Sequence, residues 1–131
     1  MKYLLDTNIC IYLINERPKK VLAHFKRHAL NDIGLSSITV SELQFGVAKS
    51  GSLKNRAALE AFLLPFQIVD YDANAAMVYG DIRAALEKRG KTIGPLDMLI
   101  AAHALSRQLV LVTNNEKEFS RVGQLKVENW L

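Results

Sequence analysis

Short apolar runs return along the whole chain, each followed by a stretch with helical punctuation, and this alternation leaves few folds open. Residues 2–5 (KYLL) read as a buried strand ending at Asp6, and residues 8–15 as a short helix. Pro18 starts another helix through about His28. Residues 33–36 (IGLS) form a second strand. Ser37 or Thr39 caps a helix through about Lys49, with Glu42 at the third position after Thr39. Ser50-Gly51-Ser52 breaks the chain, residues 53–64 are helical, and Pro65 stops them. Residues 66–69 (FQIV) are a third strand, and Asp72 caps a long helix that ends near Gly90. Gly94-Pro95 resets the chain before an Ala-rich helix over 96–107. Residues 109–112 (LVLV) are apolar without interruption, as a parallel strand covered on both faces should be. A short helix around 116–120 and a last strand near 125–127 complete the order. Alternating strands and helices predict an α/β fold with a mainly parallel sheet and right-handed crossovers.

A chain of 131 residues suits one domain, expected to span 1–131, with enough core to need no disulfide. The single Cys10 fits a reducing cytoplasm. Asp6, Thr7 and Asn8 interrupt the apolar opening too early for a signal peptide, and no run reaches the length of a membrane span. The formal charge of +4 favours a polyanionic partner.

In such sheets the ligand crevice lies beyond the carboxyl ends of the strands. Asp6 directly follows strand 1. Glu42 lies in the first turn or two of the helix after strand 2. Asp97 begins the helix after Gly94-Pro95, and Glu118 follows strand 4 in TNNEKEF. Each acid alone has an ordinary reading as a helix cap, a first-turn acid or a solvated side chain. Together they predict four carboxylates at one end of the sheet. Asp6 and Asp97 are embedded in apolar sequence, where a carboxylate is costly unless neutralised. A divalent cation would neutralise them, and all-oxygen ligands favour Mg²⁺ or Mn²⁺ over zinc. Such ions acidify a bound water and offset charge on a phosphate under attack.

Other residues carry weaker signals. His24 and His28, spaced i,i+4 beside Lys26 and Arg27, read as a solvated basic helix face. His103 reads as a satisfied structural histidine, Cys10 as an inert thiol, and Asp81 as a surface or dimer-contact acid. Asp72 is explained by capping. Tyr3, Tyr12, Phe45, Phe62, Phe66 and Phe119 read mainly as core or interface, and Tyr12 or Phe45 could instead face the crevice or a partner's helix.

The segments YLLDTNICIYL, SSITVSELQFG, IGPLDMLIAAHAL and LVTNNEKEF, in this order and spacing, resemble the PIN domains of the VapC toxins of bacterial type II toxin–antitoxin pairs. The resemblance runs from about residue 2 to the VENW near the C-terminus. It implies a three-layer α/β/α sandwich and Mg²⁺/Mn²⁺-dependent endoribonuclease activity on structured RNA such as tRNA. For the most similar members it implies cleavage in the anticodon loop of initiator tRNA. It also implies a VapB-type antitoxin that inserts a segment into the active site, a toxin homodimer within a larger assembly, and contact with operator DNA only through the antitoxin. Carried over residue by residue, Asp6, Glu42 and Asp97 are metal ligands. The fourth position is open between Asn115 and Glu118, with Glu118 favoured because Asn115 offers only a neutral carbonyl. Asn8, Thr113 and Asn115 would orient the carboxylates by hydrogen bonds.

Three competing readings remain. A phosphatase of the haloacid dehalogenase type also opens with an acid after strand 1, but it needs a second Asp two positions on, where this chain has Asn8. An inactive PIN fold could act as an RNA- or protein-binding module. A DNA-cleaving relative would use the same metals.

Overall fold

The computed structural model describes residues 1–131. Five parallel strands form one sheet: β1 (Tyr3–Leu5), β2 (Ile33–Ser36), β3 (Gln67–Val69), β4 (Val110–Val112) and β5 (Val127–Glu128), in the order β3-β2-β1-β4-β5. The helices are α1 (Thr7–Asn15), α2 (Lys19–Phe25), α3 (Ser37–Ser50), α4 (Leu53–Leu63), α5 (Ala73–Lys88), α6 (Pro95–Ser106) and α7 (Glu116–Phe119).

Side chains alternate across a strand, so neighbouring residues of β1 and β4 serve opposite faces. Leu4 and Leu111 pack with α5, α6 and α7 through Ile82, Leu86, Ile100, Ala104 and Phe119. Leu5 and Val112 pack on the other face with Ile9, Leu13, Leu43, Leu59 and Phe66 from α1, α3, α4 and the start of β3. Both faces of the central strands are therefore covered, giving three layers. This is why their sequence is uniformly apolar rather than alternating.

The punctuation largely holds. Asp72 caps α5 by accepting from the Ala75 amide, and Gly90, just past the end of α5, has the positive φ of 65° that favours glycine. Three expectations need correction. The cap of α3 is Ser36, whose hydroxyl accepts from the Ile38 amide, not Ser37 or Thr39. Glu42 is thus the sixth helical residue, too far from the cap for a capping box. The helix begun at Pro18 ends at Phe25 rather than His28, and a 3-10 turn, Leu30–Asp32, leads into β2. The last strand is Val127–Glu128, displaced from 125–127 because its register is fixed by pairing with Leu111 and Val112.

His24 and His28 do not form a solvated face. Both stack against Trp130, with ring centroids at 4.9 and 4.8 Å, and Tyr3 closes the cluster from β1. Trp130 is fully buried, so this stack fastens the C-terminal end to α2 and β1. No helix is long and apolar enough to cross a membrane.

Candidate active site

Strand order places a switch between β1 and β4. From β1 the chain proceeds through β2 and β3 on one side, then crosses to β4 and β5 on the other. The connections leaving β1 and β4 diverge there, and a crevice opens at their carboxyl ends. Asp6 follows β1 at that point, 4% exposed, and Thr113, fully buried, follows β4. The Thr113 hydroxyl donates to Asp6 Oδ2 at 2.8 Å, and the Thr7 amide donates to Asp6 Oδ1 at 2.8 Å. Asp6 is therefore at once the cap of α1 and a fixed acid at the crevice.

The other acids join through a continuous set of bonds. The Thr7 hydroxyl donates to Glu42 Oε1 at 2.8 Å, linking α1 to α3. Thr113 Oγ1 accepts from the Asn115 amide at 3.0 Å, and Asn115 Nδ2 donates to Glu118 Oε2 at 2.6 Å. Glu118 Oε1 accepts from the Gly94 amide at 2.8 Å, and the Asp97 carboxyl borders the same space before Gly94. Glu42, Asp6, Asp97 and Glu118 thus lie along one chain of contacts contributed by four separate stretches of sequence. Pro95 opens α6 at its first position, where it has no helical amide to forfeit, and so sets Asp97 in the first turn.

The electrostatics follow from crowding. Burial, then the charges of Asp6, Glu118 and Glu42, push the Asp97 carboxyl up to about 7. Burial likewise raises Asp6, against the bonds from Thr113 and Thr7 that favour its charged form. Glu118 is held below its ordinary value, first by the Gly94 amide and further by Asn115 and the charge of Arg121. Of the two neighbours, Asp97 is the one pushed toward its protonated form and Glu118 the one held toward its charged form. Carboxyls pushed apart in this way mark a site lacking positive charge. No three His, Cys, Asp or Glu side chains form a ready-made metal cage. The donor set itself suits a hard cation, since it is all oxygen. A methyl at Gly94 would stand 3.5 Å from Asp97 Oδ2 and 3.8 Å from Glu118 Oε1, so glycine keeps the space before both carboxylates clear.

Two of the three expected supporting residues, Thr113 and Asn115, bond carboxylates. Asn8 does not: it is exposed, and its amide reaches Asn114 Oδ1 at 3.5 Å. Successive helical residues point about 100° apart, and in the first turn of α1 it is Thr7 that faces Glu42. Sequence reasoning missed Thr7, although a hydroxyl beside the first acid was a signal. It also missed Asn114, whose Nδ2 donates to the Tyr12 hydroxyl at 2.8 Å and places that ring beside the crevice. Phe45 lies exposed on α3. Burial raises the Cys10 thiol, which keeps it un-ionised and inert. His103 is fully buried and half satisfied: Nδ1 lies 2.7 Å from Ser36 Oγ, and Nε2 has no partner.

The PIN domain family matches residues 3–125. A ribonuclease VapC2 of Haemophilus influenzae is 48% identical over 132 aligned positions, covering 100% of this chain and 99% of that protein. A tRNA(fMet)-specific endonuclease VapC of Shigella flexneri is 44% identical, covering 99% and 98%. The crystal structure of VapBC2 from Rickettsia felis, bound to a DNA fragment from its promoter, contains a chain that superposes with a TM-score of 0.91 at 43% identity, covering 100% of both chains.

Proposed function

The chain belongs to the PIN domain family, and from that premise we propose that it is the toxin of a type II toxin–antitoxin pair, a divalent-metal-dependent endoribonuclease acting on initiator tRNA. The observation that carries this reading is the unbroken series of bonds from Glu42 through Asp6 to Glu118, with Asp97 crowded by the charges of all three. The relatives named as VapC ribonucleases and as a tRNA(fMet)-specific endonuclease support the substrate. Within that tRNA the anticodon loop is the favoured target, because unpaired nucleotides can be splayed into an open crevice. The VapBC2 likeness supports a VapB-type antitoxin as partner and an assembly that binds promoter DNA; to this the reading adds a toxin homodimer and DNA contact through the antitoxin.

Asp6, Glu42 and Asp97 would hold the ion, with Glu118 as the fourth donor, and Mg²⁺ or Mn²⁺ fits their hard oxygens. When bound, such an ion supplies an acidified water and neutralises a phosphate. The protein's own contribution is placement. Thr7 and Thr113 restrain Asp6 on both oxygens, and Thr7 at the same time restrains Glu42. Gly94 and Asn115 fix both oxygens of Glu118 beside Asp97. Ionisation of Asp97 completes the negative set. Ligands immobilised in this way need little rearrangement during hydrolysis.

The test is expression in bacteria followed by mapping of new RNA 5′ ends. The wild type should create new ends in the anticodon loop of initiator tRNA, and Asp6→Asn should create none. New ends that persist in Asp6→Asn would overturn the assignment.

A further inference from the structure

Five exposed cations stand on the two segments that meet at Glu118. Lys88, Arg89 and Lys91 lie at the end of α5 and just beyond it; Lys117 and Arg121 lie on and just after α7. None forms a salt bridge, although the charge of Arg121 reaches Glu118. The only ion pair in the protein is Arg83–Glu87, which occupies the acid at the end of α5. Glu116 accepts from Asn129, and Glu118 is held by Gly94 and Asn115.

Two of the five are locked across the segments. Arg89 Nη2 donates to the Arg121 carbonyl at 2.8 Å, and Arg121 Nη1 donates to the Thr92 carbonyl at 3.0 Å. A guanidinium has five N–H donors, so each arginine spends one on a neutral carbonyl and keeps its charge and its remaining donors. Restraint before binding lowers the entropy lost when such a fork grips an anion. The opposite flank of the mouth differs in character. Beyond Glu42 lies a cavity of about 520 Å³ lined by apolar residues such as Ile11, Ile14, Leu43 and Val47, with Asn15, Asn55 and a single cation, Lys54. A polyanionic strand therefore meets five cations on the α7 flank, against one lysine lining this cavity.

We propose that Arg89 and Arg121 form a phosphate clamp that holds the RNA backbone on the α7 flank of the mouth, next to the bond to be cut. This rests on the ribonuclease reading. The clamp contacts phosphates that flank the scissile one and takes no part in the chemistry. Its recognition is of charge and of the paired oxygens of a phosphate, which suits bidentate arginine. It sets register along the strand without reading bases.

The experiment compares wild type, Arg89→Gln/Arg121→Gln, Arg121→Lys and Lys126→Ala. Glutamine keeps a donor for each carbonyl but removes the charge. Lys126 immediately precedes β5, at the far end of the sheet, and is the control. Steady-state cleavage of a tRNA anticodon stem–loop should show KM raised about tenfold in the double glutamine variant, with a smaller fall in kcat because the charge of Arg121 also reaches Glu118. Binding of the same stem–loop, labelled with fluorescein, is followed by anisotropy between 50 and 200 mM salt in an Asp6→Asn background. Two lost phosphate contacts should reduce the slope of log affinity against log salt by about 1.4, at roughly 0.7 per contact on single strands. Arg121→Lys should fall between wild type and the double variant, and Lys126→Ala should match wild type. An unchanged KM and slope in a folded double variant would sink the clamp, as would an equal effect in Lys126→Ala. If the double variant melts early, Arg121→Lys alone decides, by the same KM and slope. If the wild type cut no RNA, the ribonuclease reading would fall, while the salt slopes would still test the clamp.

Discussion

Thr113 and Asp6, 107 positions apart in sequence, are joined by a buried 2.8 Å hydrogen bond that ties the end of β4 to the end of β1. The bond spans the switch in strand order, so a single hydroxyl fixes the central acid at the point where the crevice opens. Thr113→Ala should lower kcat about 10–100-fold, the usual effect of removing a group that orients a ligand. It should also reduce stability by roughly 1 kcal/mol. Thr113→Ser keeps the hydroxyl and should restore most of the rate. Single-turnover cleavage and urea unfolding of the two variants would measure both effects.

Asp97→Asn and Asp6→Asn should each remove detectable RNA cleavage while the protein stays folded. Their stabilities should move upward when metal is absent, because each substitution removes a negative charge that burial and its neighbours oppose. Melting in EDTA at pH 8 is the measurement, and a lower melting temperature for both variants would contradict the electrostatic account.

Stability should also depend on pH in a defined direction. The Asp97 carboxyl is pushed up to about 7 from an ordinary 3.8. Between those values the folded protein holds a proton that the unfolded chain has released. Stability therefore declines as pH rises from about 4 to 7 through this group, and levels off above. In EDTA, Asp97→Asn should flatten that decline in the melting temperature. His103, whose burial lowers its pKa, acts oppositely near its ordinary value of 6.5, so the difference between wild type and variant is the informative quantity.

Adding Mg²⁺ or Mn²⁺ should reverse the penalty. A ligand bound only by the folded state stabilises by about 2.7 kcal/mol at a hundred times its Kd. The melting temperature at pH 7.5 should rise with metal in the wild type and stay flat in Asp6→Asn. EDTA should abolish cleavage and excess Mn²⁺ should restore it.

Trp130 is 1% exposed, stacks with His24 and His28, and meets Tyr3 edge-on. Trp130→Ala should cost about 3–5 kcal/mol, in the range for large aromatic deletions from a core. Equilibrium unfolding in urea would test this. A loss below 1 kcal/mol would mean that the C-terminal end is not fastened by the stack.

Much of the fold was legible because its signals are local. Pro65, Gly90, Asp72 and the Gly94-Pro95 pair stop or start helices by their own backbone chemistry, wherever the chain is then folded. Boundaries set by pairing were less legible. Val127–Glu128 is a strand because β4 offers it partners, and nothing within residues 125–128 says where pairing begins.

The sequence by itself determined the alternating α/β order, the parallel sheet, and the placement of Asp6, Glu42, Asp97 and Glu118 after strands or near helix starts. Strand and helix periodicity, and the acids that interrupt them, are properties of neighbouring residues. Only the tertiary structure decided that Thr7, not Asn8, reaches Glu42, that Ser36 caps α3 and meets His103, and that His24 of α2 and His28 just beyond it find Trp130. Those partners come from distant parts of the chain. Which side chain a helix turns toward a neighbour depends on rotation and register, and these are fixed only when the sheet packs against its helices.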